Sequence, residues 1–224
     1  APLFSRPDAQ VAFAQIMTEV ASGRFPATET FLSVFKQAGL VNLYFFLRYV
    51  ASYAGAYDKL TPTLHAEICN VRQYALEEGS RTAIILPRSS YKSSCATAGG
   101  AQWELWRNPD LRSAIFSFPL DRAQGFFIDV KENFERNTLL HELDPKTKPV
   151  IERGSRWTES EIVMPGRRVA MREASLTYFT AGGATQGIHV DAATFDDIIG
   201  DSMLNADRGA TADLISMTHW FDDN

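Results

Sequence analysis

The sequence predicts an α/β domain, a mostly parallel sheet flanked by helices, with a helical preface at its amino-terminal side. Three observations carry this expectation. The opening third places apolar side chains at helical spacing. From residue 82 onward, short apolar runs alternate with amphipathic stretches, the pattern of strands joined by helical crossovers. The composition, 45% hydrophobic and 22% charged over 224 residues, is that of a globular protein and not of a disordered, collagen-like or coiled-coil chain. A chain of this length buries roughly 70% of its extended surface, enough for one substantial core.

Residues 1–59 read as a helical segment packed on or leading into a core domain over 60–224. Within 8–21, Val11, Phe13, Ala14, Ile16, Met17 and Val20 recur near helical spacing. Thr28 or Thr30 is placed to cap a second helix carrying Phe31, Leu32, Val34 and Phe35. A third helix is expected over about 39–54. A fourth is expected over 64–78, stopped by Gly79. Thr82-Ala83-Ile84-Ile85-Leu86, ended by Pro87, has the profile of a buried parallel strand. A polar loop then leads into a helix over about 92–107. Strands are expected at 113–118, 175–180 and 192–195. An amphipathic helix over 121–136 presents Phe126, Phe127, Val130 and Phe134, and a closing helix spans 207–221.

The apolar stretch over 39–57 is broken by Arg48 and padded with Asn42, Ser52 and Gly55. It is too polar for a membrane span of about 20 apolar residues, so no membrane partner is expected. No basic head followed by an apolar run resembles a signal peptide. Cys69 and Cys95 cannot build a disulfide framework and lack partners for a zinc site, which fits a reducing cytoplasm. His65, His141, His189 and His219 have no ligand spacing, so no metal site beyond a magnesium site is expected.

The net charge of −5, from 22 basic and 27 acidic side chains, argues against a surface devoted to nucleic acid. The charges are nonetheless segregated. Residues 146–172 hold seven basic side chains against three acids, whereas 190–224 hold eight aspartates and one basic residue, Arg208. The basic segment suits DNA phosphates, a neighbouring subunit or plain solvation.

The strand, loop and helix over 82–107 place Lys92 and Ser93 at a helix start, where free N–H groups and the positive dipole end attract anions. In a phosphate-binding loop the lysine reaches the terminal phosphates and the following hydroxyl joins the Mg²⁺ shell. The usual glycines are missing: Pro87-Arg88-Ser89-Ser90-Tyr91 fills the loop, with Tyr91 where a glycine ordinarily precedes the lysine. A plain helix cap at Ser89 or Ser90 is the competing reading.

A phosphate loop needs a strand that ends in a magnesium-holding carboxylate, followed by an acid that orients the attacking water. Ala192-Ala193-Thr194-Phe195-Asp196-Asp197 has this form. Asp196 is the expected Mg²⁺ residue, acting through a water, and Asp197 the expected base. A solvated Asp-rich turn is the alternative. Between the two motifs lies a glycine-bearing loop over 181–191, which suits close approach to a nucleotide or neighbouring subunit, with a flexible connection as the alternative. Trp103 and Trp106 read as packing residues, Cys95 as a small buried helix residue and His189 as a hydrogen-bonded loop residue.

These segments, in this order, resemble the ATPase domain of the large terminase subunit of tailed double-stranded DNA phages and prophages. The resemblance rests on 81–94, on Arg156-Trp157-Thr158-Glu159-Ser160-Glu161-Ile162-Val163-Met164-Pro165, on 182–197 and on the tail with Arg208 and Trp220-Phe221. It covers roughly 60–223, and 187–197 is its most specific part.

The resemblance implies a P-loop NTPase fold of the RecA/ASCE type and an ATP-driven motor that packages viral DNA into a prohead. It implies ATP and Mg²⁺ as cofactors. The implied partners are double-stranded DNA, the portal protein, the small terminase subunit and further copies in a ring, in the host cytoplasm. Carried over, Ser89, Ser90, Tyr91, Lys92, Ser93 and Ser94 cradle phosphate, Ser93 and Asp196 hold Mg²⁺, and Arg88 stabilises the γ-phosphate. Asp197 is the catalytic carboxylate, and Pro62 and His65 lie where the family forms its adenine pocket. The loop ahead of the acidic strand has Gln186 and His189 but no trans-acting arginine, leaving Arg156, Arg167, Arg168 or Arg172 as candidates. The family's coupling strand and nuclease domain have no counterpart in these 224 residues, so no DNA cleavage is expected. Two other readings stay open: a helicase-like P-loop ATPase, and a nucleotide-binding assembly module with little catalysis.

Overall fold

The computed structural model describes residues 29–54, 59–152, 154–180 and 188–198. The helices expected over 8–21 and 207–221, and most of the glycine-bearing loop, lie outside the described residues.

Helix α1, Glu29–Val41, turns Phe31, Phe35 and Ala38 into the core, positions that share one face of a 3.6-residue repeat. The helix includes Thr30, which therefore does not cap it. The single helix expected over 39–54 is two. Asn42 adopts an extended backbone and its side chain accepts a 2.7 Å hydrogen bond from the Phe45 N–H. That cap restarts the chain as α2, Leu43–Phe45, which runs on through a π turn, Phe46–Val50, and a 3-10 turn, Ala51–Ala54. The two arms meet at 120°. Among the described residues no single helix is long and apolar enough to cross a membrane.

Helix α3, Leu64–Glu77, gives way to Gly79 in the left-handed region at φ 61°, as the sequence predicts. The expected strand over 82–86 does not form. Among the described residues the segment pairs with no strand, and Ile85 is 89% exposed. A strand exists only where a neighbour completes its hydrogen bonds, so an apolar run alone cannot make one.

The helix after the polar loop opens as a π turn, Ser93–Gly99, and continues as α4, Gly100–Arg107. Then follow β1, Ser113–Ser117; α5, Leu120–Arg136; α6, Thr138–Leu143; β2, Glu161–Ile162; β3, Leu176–Thr180; and β4, Ala192–Asp196. The result is mixed α/β: an open, mostly parallel sheet of order β2-β3-β1-β4 with helices packed on it. Strand β1 is fully buried and lies parallel to both β3 and β4, whereas β2 is antiparallel to β3. Two buried faces explain why Ser113-Ala114-Ile115-Phe116-Ser117 reads as an apolar run without alternation.

One core joins the preface to the sheet. It includes Phe35, Phe46 and Leu47 from the amino-terminal helices, Trp103 from α4, Phe127 and Phe134 from α5 and Leu176 from β3. Each such side chain contributes about 1.5–3 kcal/mol by leaving water. Trp103 is fully buried and donates its indole N–H to the Gly39 carbonyl at 2.8 Å, a packing role as expected. A buried amide chain fixes the same junction. Gln102 donates to Asn133 at 2.6 Å, Asn133 to the Ala51 carbonyl at 3.1 Å, and Asn137 to the Val50 carbonyl at 2.9 Å. These bonds satisfy carbonyls where the irregular end of α2 would otherwise bury them unpaired.

Candidate functional site

In open parallel sheets, ligands bind outside the carboxyl ends of the strands. Here β1 and β4 end side by side, with Ser117 in register with Asp196. Asp196 is 6% exposed and its Oδ2 is buried without a partner among the described residues, as is the Oγ of Ser117. A buried carboxylate oxygen without a donor costs about 1–3 kcal/mol or more, so an unmet polar demand converges at this point.

The next residue, Asp197, turns into the left-handed region at φ 45° and is exposed. Its Oδ1 lies 3.8 Å from Lys92 Nζ, and its Oδ2 accepts a hydrogen bond from Arg122 Nη1. Lys92 and Asp197, far apart in sequence, therefore meet in one ion pair. Arg122 is absent from the residues that the sequence motifs mark. It lies in the first turn of α5, just beyond β1, and no motif spacing points to it. The one signal nearby is Ser117, a polar residue that ends the strand beside Asp196.

The loop ahead of Lys92 lacks glycines yet keeps the backbone that glycines serve: Ser89 stands at φ 64° and Tyr91 at φ 54°. Non-glycine residues hold this region at a cost of order 1 kcal/mol or more each, and such strain concentrates at functional sites. The Lys92 side chain makes no cap bond to the turn that follows, and the buried Ser90 Oγ has no partner among the described residues, so Ser90 does not act as a helix cap. The π turn that follows is uncommon backbone often found at functional sites. It brings Gly99 against the π turn of α2, where a Cβ on Gly99 would lie 2.6 Å from Leu47.

Lys92, Ser93, Asp196 and Asp197 line a cleft of about 770 Å³ that runs between the irregular 81–85 segment and β4. Arg72 of α3 forms part of its wall. Its guanidinium donates to the Ala96 carbonyl at 3.1 Å, to Thr194 Oγ1 at 3.0 Å and to Glu104. It thus ties α3 and the helix after the loop to β4. Burial pushes the Glu104 carboxyl up, against the opposing pull of Arg72. Cys95, on the same helix, is buried as expected and is a free thiol beside Cys69, whose own thiol is pushed up by their hydrogen bond and by burial.

His65 is buried, accepts the Thr61 N–H on Nδ1 at 2.8 Å, and meets the Tyr91 ring edge-on at 5.8 Å. Its other ring nitrogen, Nε2, has no partner among the described residues. Pro62 and Arg88 are exposed and line no part of the cleft, and Arg88 forms no ion pair among the described residues. Ser94 is half-buried on the first helical turn.

The candidate trans arginines lie elsewhere. Arg156 forms a two-bond pair with Glu161, at 2.9 and 2.8 Å, which holds the Glu161 carboxyl below its usual range. Arg168 pairs with Asp110, which is held low mainly by the backbone N–H groups of Arg168 and Val169. Arg167 donates to the Glu173 carbonyl at 2.7 Å, and Arg172 is exposed. Arg156, Arg167 and Arg168 border a second cavity, of about 540 Å³, near the amino-terminal ends of β1 and β3. None of the groups that converge at Asp196 lines that cavity. The same end of the sheet is fastened by Arg112, which grips both oxygens of Asp191 at 3.0 and 2.7 Å and lowers that carboxyl.

No protein-family model, curated protein or solved structure matches this chain.

Proposed function

We propose that this chain binds ATP with Mg²⁺ and hydrolyses it as the motor domain of a viral DNA-packaging machine, with a P-loop NTPase fold. The observation that carries the chemistry is the meeting of Lys92 and Asp197 beside the unpartnered Asp196 oxygen. Lys92 supplies a point charge for the terminal phosphates, with the left-handed Ser89 and Tyr91 shaping the loop around them. Magnesium fits the donor set: it keeps several waters and needs one or two carboxylates plus phosphate oxygens. The described residues hold no cluster of three or more His, Cys, Asp or Glu side chains, and such a cage is not what Mg²⁺ requires. Ser93 and Asp196 would hold the ion, which neutralises phosphate charge when bound. Asp197, exposed at the rim, would orient a water toward the γ-phosphate.

The packaging assignment rests on the resemblance of 81–94, 156–165 and 182–197 to terminase segments, and with it come double-stranded DNA, portal and neighbouring copies as partners.

The test is nucleotide binding by calorimetry and phosphate release, with and without double-stranded DNA and portal. Lys92→Ala should abolish binding, while Asp197→Asn should keep binding and reduce turnover by a factor of about 100 or more. Unchanged turnover in both variants would refute the assignment. Stimulation by single-stranded DNA with no response to portal would favour a helicase-like ATPase instead.

A further inference from the structure

We propose that Arg122 is a third cation of the phosphate site, exchanging its Asp197 partner for the terminal phosphate of a bound nucleoside triphosphate. The proposal rests on the reading of Lys92 as a phosphate-loop lysine.

Asp197 carries a cation on each oxygen, Lys92 on Oδ1 and Arg122 on Oδ2. Two cations that share one carboxylate are close enough to share one phosphate group, whose oxygens are spaced comparably. A guanidinium suits this exchange, since its fork of donors matches phosphate as well as carboxylate. The present partner is easily given up. Both side chains are 48% exposed, and exposed ion pairs contribute little. A triphosphate terminus brings more negative charge than Asp197 and wins the competition.

The backbone on each side is set for a switch confined to side chains. Arg122 sits in the first turn of α5, and that helix is anchored by Phe127, Val130 and Phe134, all buried. Asp197 sits at a left-handed residue directly after the end of β4. Among the described residues Arg122 has no other carboxylate partner. The arrangement gives Arg122 two positions with different consequences. Without a triphosphate it occupies Asp197; with one it moves to phosphate and frees Asp197 to orient water.

The experiment measures dissociation constants of the full chain for a non-hydrolysable ATP analogue and for ADP, both with Mg²⁺, by calorimetry. Arg122→Ala should weaken the triphosphate by tenfold or more and leave ADP within twofold, with Arg122→Lys intermediate. Asp197→Asn should tighten the triphosphate in the Arg122 chain, and that gain should shrink when Arg122 is also alanine, because the competition has been removed. Equal effects on both nucleotides, no effect on either, or an undiminished gain in the double variant would overturn the proposal while Lys92-dependent binding stands. Failure of the unsubstituted chain to bind either nucleotide would instead remove the phosphate-loop reading, and this proposal with it.

Discussion

Ser117 and Asp196 stand in register at the carboxyl ends of β1 and β4, each with a buried oxygen that meets no partner among the described residues. A protein tolerates such a pair where something outside the chain completes it, and the cost is carried by the free protein. Asp196→Asn should therefore leave the thermal midpoint of the ligand-free protein unchanged or raise it, by relief of up to about 1–3 kcal/mol. The same variant should lose the upward shift that Mg²⁺ and ATP give the parent chain. Scanning fluorimetry with and without both ligands checks the two halves together. A destabilised free variant with a normal ligand shift would show that Asp196 serves the fold alone.

The strained loop makes a second prediction. Ser89 is exposed and left-handed, so Ser89→Gly should stabilise the protein by about 0.5–1 kcal/mol in urea unfolding. Ser89→Val should destabilise it, because a β-branched residue resists positive φ. Tyr91 is left-handed too, but Tyr91→Gly would also remove the ring contact with His65, so its net effect should be smaller.

Two helical glycines should respond in opposite directions. A Cβ on Gly99 would stand 2.6 Å from Leu47 and 2.7 Å from the Ser94 carbonyl, so Gly99→Ala should cost about 1–3 kcal/mol. A Cβ on Gly125, inside α5, would meet nothing within 4 Å, and Gly125→Ala should gain about 0.5–1 kcal/mol. Denaturant midpoints of the two variants measure the difference directly.

The Arg112 and Asp191 clamp sets a pH dependence. Its hydrogen bonds hold the Asp191 carboxyl below its ordinary value of 3.8. The folded value lies below the unfolded one, so the contribution is present above about pH 4 and is lost as pH falls through the depressed value. Asp191→Asn should therefore lower stability at neutral pH and flatten its decline on acidification. The two proteins should converge once the carboxyl is protonated in the folded as well as the unfolded chain. Urea unfolding across the acid range tests the sign.

The buried Arg72 and Glu104 pair links α3 and α4 and, through Thr194, reaches β4. Arg72→Ala should destabilise the protein by about 3–5 kcal/mol, since it leaves Glu104 buried without its counter-charge. Replacing both residues with apolar side chains of similar volume should recover most of that loss. A double-variant cycle in urea separates these outcomes.

Much of this architecture is legible in the sequence because helical spacing and short apolar runs report burial directly. The helix over 64–78 ends at Gly79, β1 and β3 fall where their apolar runs lie, and Phe127, Val130 and Phe134 form the inner face of α5. Two elements are not legible. The break at Asn42 depends on a side-chain cap that overrides an apolar stretch. The failure of 82–86 to become a strand depends on whether another strand lies beside it, and hydropathy carries no record of that.

Residue types and local spacing suffice for the acidic end of β4, the Lys92-Ser93 helix start and the alternation that makes the fold α/β. Such signals act over a turn of helix or the length of a strand, so each can be read without knowing its neighbours in space. It took the packed fold to bring Lys92 to Asp197, to add Arg122 to them, to leave Asp196 and Ser117 with a shared unmet polar demand, and to bend Ser89 and Tyr91 as glycines bend. These relationships arise when β4 pairs with β1 and α5 packs on β1 and β3, bringing distant segments together at the ends of the strands. Spacing along the chain encodes an element, and packing between elements encodes a site.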